Sequence, residues 1–102
     1  MKKSYNFLQD PGHGWVAVPL KDLAELGLSR QDFSAYSYES KAGTVAYLEE
    51  DCDAPKFIAH FEKRFDHKPA LVEKHTNNRS HVRSMPYLNQ DVIRGYPVKV
   101  VQ

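Results

Sequence analysis

The run Lys74-His75-Thr76-Asn77-Asn78-Arg79-Ser80-His81-Val82-Arg83 concentrates side chains that bind charge. Lys74, Arg79 and Arg83 are cationic, His75 and His81 carry imidazoles, and Thr76, Asn77, Asn78 and Ser80 are small hydrogen-bonding groups. Val82 is the single apolar member, so the run has no face to bury and reads as a loop. Arg79 and Arg83 are four apart, a spacing at which one helical turn aligns two guanidiniums on a phosphate or carboxylate. His75, Asn77 and Ser80 add neutral donors. Loops of this kind commonly hold anions, nucleotides or a partner's carboxylates. A solvated basic loop that pairs with acidic parts of the same chain has the same composition.

Two further clusters could carry chemistry. In Pro11-Gly12-His13-Gly14-Trp15, glycines on both sides leave the His13 ring free to approach a ligand, and Trp15 offers a stacking surface. Gly-x-Gly also occurs in plain turns, and a tryptophan is as readily part of a core. In Glu49-Glu50-Asp51-Cys52-Asp53, the carboxylates could gather a hard cation such as Mg²⁺ or Ca²⁺. The spacing is not that of a calcium loop, and no glycine supplies its turn. Acidic residues ahead of a helix are explained more simply by its positive N-terminal end. Glu50, Asp51 and Asp53 are therefore the weakest ligand candidates, and the residues alone assign no metal and no cofactor.

These residues must be positioned by a chain of 102 residues, long enough for one domain with a modest core. Hydrophobic residues at 41% and charged residues at 26% are ordinary for a globular protein. Residues 1–66 hold eight Lys/Arg against eleven Asp/Glu, and residues 67–102 hold six against two. An acidic front and a basic back can attract each other within the fold or present a basic face to an acidic partner. Cys52 is alone, which excludes an intrachain disulfide and a zinc site built on several cysteines. The basic start Met1-Lys2-Lys3 has no apolar stretch behind it, and nothing approaches the roughly 20 apolar residues of a spanning helix. A cytoplasmic protein with no membrane partner is expected.

The elements follow from periodicity and punctuation. Ser4 to Leu8 suits a short edge strand, Asp10 to Gly14 a turn, and Trp15 to Val18 a strand that stops at Pro19. Leu20, Leu23, Ala24 and Leu26 share a helical face that Gly27 terminates. Ser29 to Asp32 forms a capped turn. Ala35 to Tyr38 and Thr44 to Leu48 make a hairpin through Ser40-Lys41-Ala42-Gly43. Asp53 and Pro55 start a helix that runs to about Phe65, with Phe57, Ile58, Phe61 and Phe65 as its apolar stripe. Ala70 to Val72 is a further strand leading into the polar loop, Asn89 to Arg94 a helical turn, and Tyr96 to Val101 an edge strand or a tail. The fold class is α+β: a small antiparallel or mixed sheet with two main helices packed on one face. Residues 1–102 form a single globular domain, of which 89–102 is at most a partly independent C-terminal tail.

Three stretches together carry a resemblance: Asp10-Pro11-Gly12-His13-Gly14-Trp15, Tyr47-Leu48-Glu49-Glu50-Asp51-Cys52-Asp53-Ala54, and His75-Thr76-Asn77 with Ser80 and Arg83. In this order they resemble a family of small uncharacterised proteins from bacteriophages, prophages, plasmids and proteobacterial chromosomes, over roughly residues 10 to 87. The resemblance supplies no activity, cofactor or catalytic residue. It implies a setting, because compact accessory genes of mobile elements often encode binders.

The sequence thus favours a non-enzymatic binding protein whose His75, Asn77, Arg79 and Arg83 recognise an anion, with His13 and Trp15 completing the surface. The partner would be a nucleotide-like small molecule or an acidic patch on a host protein, held by occupancy as counter-defence proteins act. Replacing Arg79 or Arg83 is expected to weaken binding and spare the fold. The alternative is a small metal-dependent hydrolase or nuclease using Glu50, Asp51 or Asp53 with His13 or His75. It requires the acidic and histidine clusters to meet in one cleft. Nucleic-acid binding ranks third, since Tyr87 is not interleaved with several basic residues. The alternating tail leaves a homodimer open.

Overall fold

The computed structural model describes residues 4–93, and the strand or tail expected at Tyr96 to Val101 lies outside the described residues. Its strands are β1 (Ser4–Gln9), β2 (Gly14–Pro19), β3 (Tyr38–Glu39), β4 (Val45–Glu49) and β5 (Ala70–His75). Its helices are α1 (Leu20–Glu25), α2 (Ala54–Phe65) and α3 (Gln90–Ile93), with short 3₁₀ turns at Arg30–Asp32 and His81–Ser84. The strands form one mixed sheet in the order β3-β4-β2-β1-β5. This is an α+β fold. Of the two main helices expected, α2 has twelve residues and α1 only six.

Alternation along the strands divides the sheet into two faces. Tyr5, Val16, Val18, Ala46 and Leu48 point to one side and are buried with Leu23 of α1 and Phe57 and Phe61 of α2. Both helices therefore cover the same face. The ring of Tyr5 meets Phe57 edge-on at 5.1 Å, and its hydroxyl donates to Asp22 at 2.9 Å. Burial, followed by the Asp22 carboxylate, holds the Tyr5 phenol protonated well above its ordinary range. α2 ends where the sequence places its end, with Asp66 in the left-handed region at φ 63°.

The opposite face carries Trp15, and Tyr47 and Tyr38 pair across β4 and β3 beside it. The chain after Ser80 returns over this face. Val82 is fully buried, His81 lies edge-on to Tyr47 at 6.4 Å, and Tyr87 stacks on Tyr38 at 5.4 Å. Glu39 N–H donates to the Pro86 carbonyl at 2.8 Å, and Leu88 N–H to that of Ser37 at 3.0 Å.

Three expectations need correction. β1 is not an edge strand, because β5 pairs with it in parallel from Ser4↔Ala70 to Gln9↔His75. β5 consequently takes in Glu73, Lys74 and His75, residues that the composition assigns to a loop or leaves unassigned. Every residue of β5 is exposed, so the strand is held by backbone pairing and not by a buried face. The hairpin is also shorter than expected, since β3 begins only at Tyr38, while Ser37 is buried and used as a polar tie.

Candidate functional site

The turn between β1 and β2 is organised by one carboxylate. Asp-Pro-Gly favours a turn in which the aspartate accepts from the backbone that follows it, and Asp10 Oδ1 accepts from Gly12 N–H at 3.0 Å and His13 N–H at 2.9 Å. The same carboxylate reaches the far end of the chain. Its Oδ2 accepts from Ser80 N–H at 2.9 Å and from Arg83 Nε at 2.7 Å, and its Oδ1 accepts from Arg83 Nη2 at 3.0 Å. The Asp10 side chain is 1% exposed. Arg83 above all, and then the Ser80, His13 and Gly12 amides, hold its carboxyl well below the usual carboxylate range despite burial. The Arg83 guanidinium is correspondingly pushed above its ordinary range by Asp10.

Arg83 lies over the Trp15 ring at 5.2 Å. Gly12 permits this packing: a Cβ there would stand 2.8 Å from Arg83 Nη2. Gly14 is required more strictly, because a Cβ would meet the Phe7 ring at 2.6 Å. Ser80 fixes the approach of the arginine, its hydroxyl accepting from Val82 N–H at 3.2 Å as the 3₁₀ turn begins. A polar knot of Asp10, Ser80 and Arg83 thus closes the turn onto the 74–83 segment.

Two adjoining hollows open beside the knot. One, of about 350 Å³, is lined by Asp10, Pro11, Gly12, Arg79 and Arg83. The other, of about 210 Å³, is lined by Gln9 to His13 with Glu50 and His75. β5 brings His75 here through its pairing with Gln9. Glu49 and Glu50 arrive because Trp15 pairs with Glu49 and Glu50 N–H donates to the Gly14 carbonyl at 3.0 Å. Glu49 is 4% exposed, and its Oε2 accepts from Asp51 N–H at 3.0 Å and Cys52 N–H at 2.8 Å. Its Oε1 stands 3.7 Å from His13 Nδ1.

The sequence-predicted residues therefore have different fates. His13 and His75 share one hollow, and Arg79 and Arg83 line the other. Asn77 is exposed on the connecting loop. Trp15 is 2% exposed beneath Arg83, with its indole N–H on the Tyr36 carbonyl at 3.3 Å, so it offers no open surface for stacking. Arg83 cannot be removed without cost to the fold, because its partner carboxylate is buried. Of the acidic candidates, Glu50 alone reaches a hollow. Asp51 is exposed and points to neither hollow's lining. Asp53 is buried and accepts from Ser34 N–H, from Ser34 Oγ at 2.7 Å and from Ser37 Oγ, tying the 34–37 loop to the start of α2. It holds the helix start without capping it, since its side chain accepts no amide of α2.

Of the residues that frame the site, Ser80 was expected only as a neutral donor and Glu49 only as one of the acidic run, and Asp10 had no expected role beyond its turn. Asp-Pro-Gly signals the turn, yet nothing local signals the partner 73 positions away. The three stretches that carry the resemblance meet at this corner. Comparison with known proteins finds no matching family model, no matching curated protein and no matching solved structure. No helix among the described residues is long and apolar enough to cross a membrane.

Proposed function

We propose that the protein is a binding protein that captures an anionic ligand at the paired hollows. The observation that carries this reading is the Asp10 knot. It ties together two polar segments before any ligand arrives, so little loop ordering remains to oppose binding. Arg83 is paired with Asp10, so among the described residues lining the larger hollow Arg79 is the cation without an ion-pair partner. His75 and His13 lie on the other side of the Pro11-Gly12 ridge. A compact polyanion such as a nucleotide phosphate group, or a carboxylate-rich patch of a host protein, suits this layout. Action by occupancy in a mobile-element setting needs no catalytic residue.

Calorimetric titration with inorganic pyrophosphate and with ADP tests the reading. Saturable binding that Arg79→Ala weakens by about tenfold or more, as loss of a charge-assisted hydrogen bond would, supports it. Binding of neither probe, or equal affinity in Arg79→Ala, counts against a phosphate ligand at this place.

A further inference from the structure

The geometry points to a divalent transition-metal site formed by His13, Glu49 and Glu50. One ligand atom from each of the three lies within 4.8 Å of the others, the only such His/Cys/Asp/Glu group among the described residues. Atoms bound to one ion at about 2.1 Å sit roughly 3 to 4 Å apart, so sub-ångström to ångström side-chain shifts complete the shell. The backbone already makes the alignment. Gly14 O accepts from Glu50 N–H at 3.0 Å, and Asp10 N–H donates to His13 O at 2.9 Å, which fixes both ends of the His13 turn.

Two further observations favour an ion over a self-contained cluster. Glu49 is 4% exposed and directs Oε1 at His13 Nδ1 across 3.7 Å, longer than a hydrogen bond and wide enough for an ion to bridge. Gln9, which lines the same hollow, has a buried Oε1 with no hydrogen-bond partner among the described residues. Such a carbonyl oxygen suits an ion-bound water as donor. One imidazole with two carboxylates fits Zn²⁺ or Mn²⁺; Ca²⁺ would want six or more oxygens. His75, an exposed residue, lines the same hollow as His13 and Glu50, where a fourth ligand or an anion would enter. The site uses Glu49 and leaves out Asp51 and Asp53, so it is not the acidic run that the sequence displays.

The site stands without the anion: a protein that binds metal but no phosphate keeps this inference and loses the preceding one. The test is calorimetric titration of EDTA-treated protein with Zn²⁺ and with Mn²⁺. One saturable site is expected, weakened at least about tenfold by His13→Ala and by Glu50→Gln and unchanged by Asp51→Asn; direct ligands should cost at least what their supporting residues do. Mn²⁺ should also broaden the His13 ring resonances of the unsubstituted protein, a readout that needs no variant to fold. Absence of a saturable site, wild-type affinity in His13→Ala, or broadening centred on another histidine overturns the assignment.

Discussion

Asp10 and His13, both in the turn at residues 10–14, face partners from elsewhere in the chain, and the two contacts are built differently. Asp10 and Arg83 meet through two short bonds at 2.7 and 3.0 Å, around a carboxylate that is 1% exposed. His13 and Glu49 stand 3.7 Å apart, with the imidazole 51% exposed. The first contact satisfies its buried charge by itself and holds two segments in register. The second sets a buried carboxylate beside a half-exposed ring and leaves room between them. One corner of the molecule thus separates a latch from an opening, and of these two contacts the second alone leaves space between its partners.

The comparison is broken most forcefully at the latch. Asp10→Ala or Arg83→Ala should cost about 3 kcal/mol or more in urea unfolding, the usual result of removing one member of a buried pair. That is on the scale of a core cavity such as Phe61→Ala, expected at about 3 to 5 kcal/mol. Acid offers a second way in. Because the folded pKa of Asp10 is depressed, its contribution is complete above an ordinary aspartate pKa of about 3.9 and is lost as pH falls below that towards the folded value. The stability gap between the wild type and Asp10→Asn should therefore narrow as pH falls from about 4 to about 2. Urea midpoints of both proteins across that range measure it.

The opening should respond little in stability. His13→Ala is expected to change unfolding free energy by no more than about 1 kcal/mol, as for other half-exposed ion pairs. Its effect belongs to metal titration. Smallest of all is the effect on Cys52, which neighbours the opening. Although Cys52 is exposed as a residue, partial desolvation of its thiol and then the hydrogen bond to Glu49 raise it above the ordinary value, so iodoacetamide should modify it more slowly at pH 8 than a free cysteine. Mass spectrometry of timed samples reads that rate, and Glu49→Gln should increase it.

Parts of this architecture were open to the sequence because local rules act locally. Phe57, Phe61 and Phe65 repeat at helical spacing, and Pro55 stands in the first turn, so α2 could be drawn almost to the residue. Gly27 and Gly43 adopt φ 76° and 73° where the chain was expected to turn. The second half of β5, Glu73 to His75, was hidden for a physical reason: an edge strand with every side chain exposed obeys no hydrophobic period, and its order comes from β1. The polar segment stands out by composition, but its arginines are not equivalent. Asp10 decides which of them is structural, and no periodicity links a turn aspartate to an arginine 73 positions on. The members of the acidic run are likewise not equivalent, since Glu49 is set beside His13 by its β4 register while Asp53 turns to Ser34 and Ser37.

Side-by-side urea unfolding of Arg79→Ala and Arg83→Ala tests most directly whether Asp10 makes one arginine structural and leaves the other outside the latch. The account predicts a loss of about 3 kcal/mol for Arg83→Ala and a change within about 0.5 kcal/mol for the exposed Arg79→Ala. Equal effects, whether both large or both negligible, would contradict it.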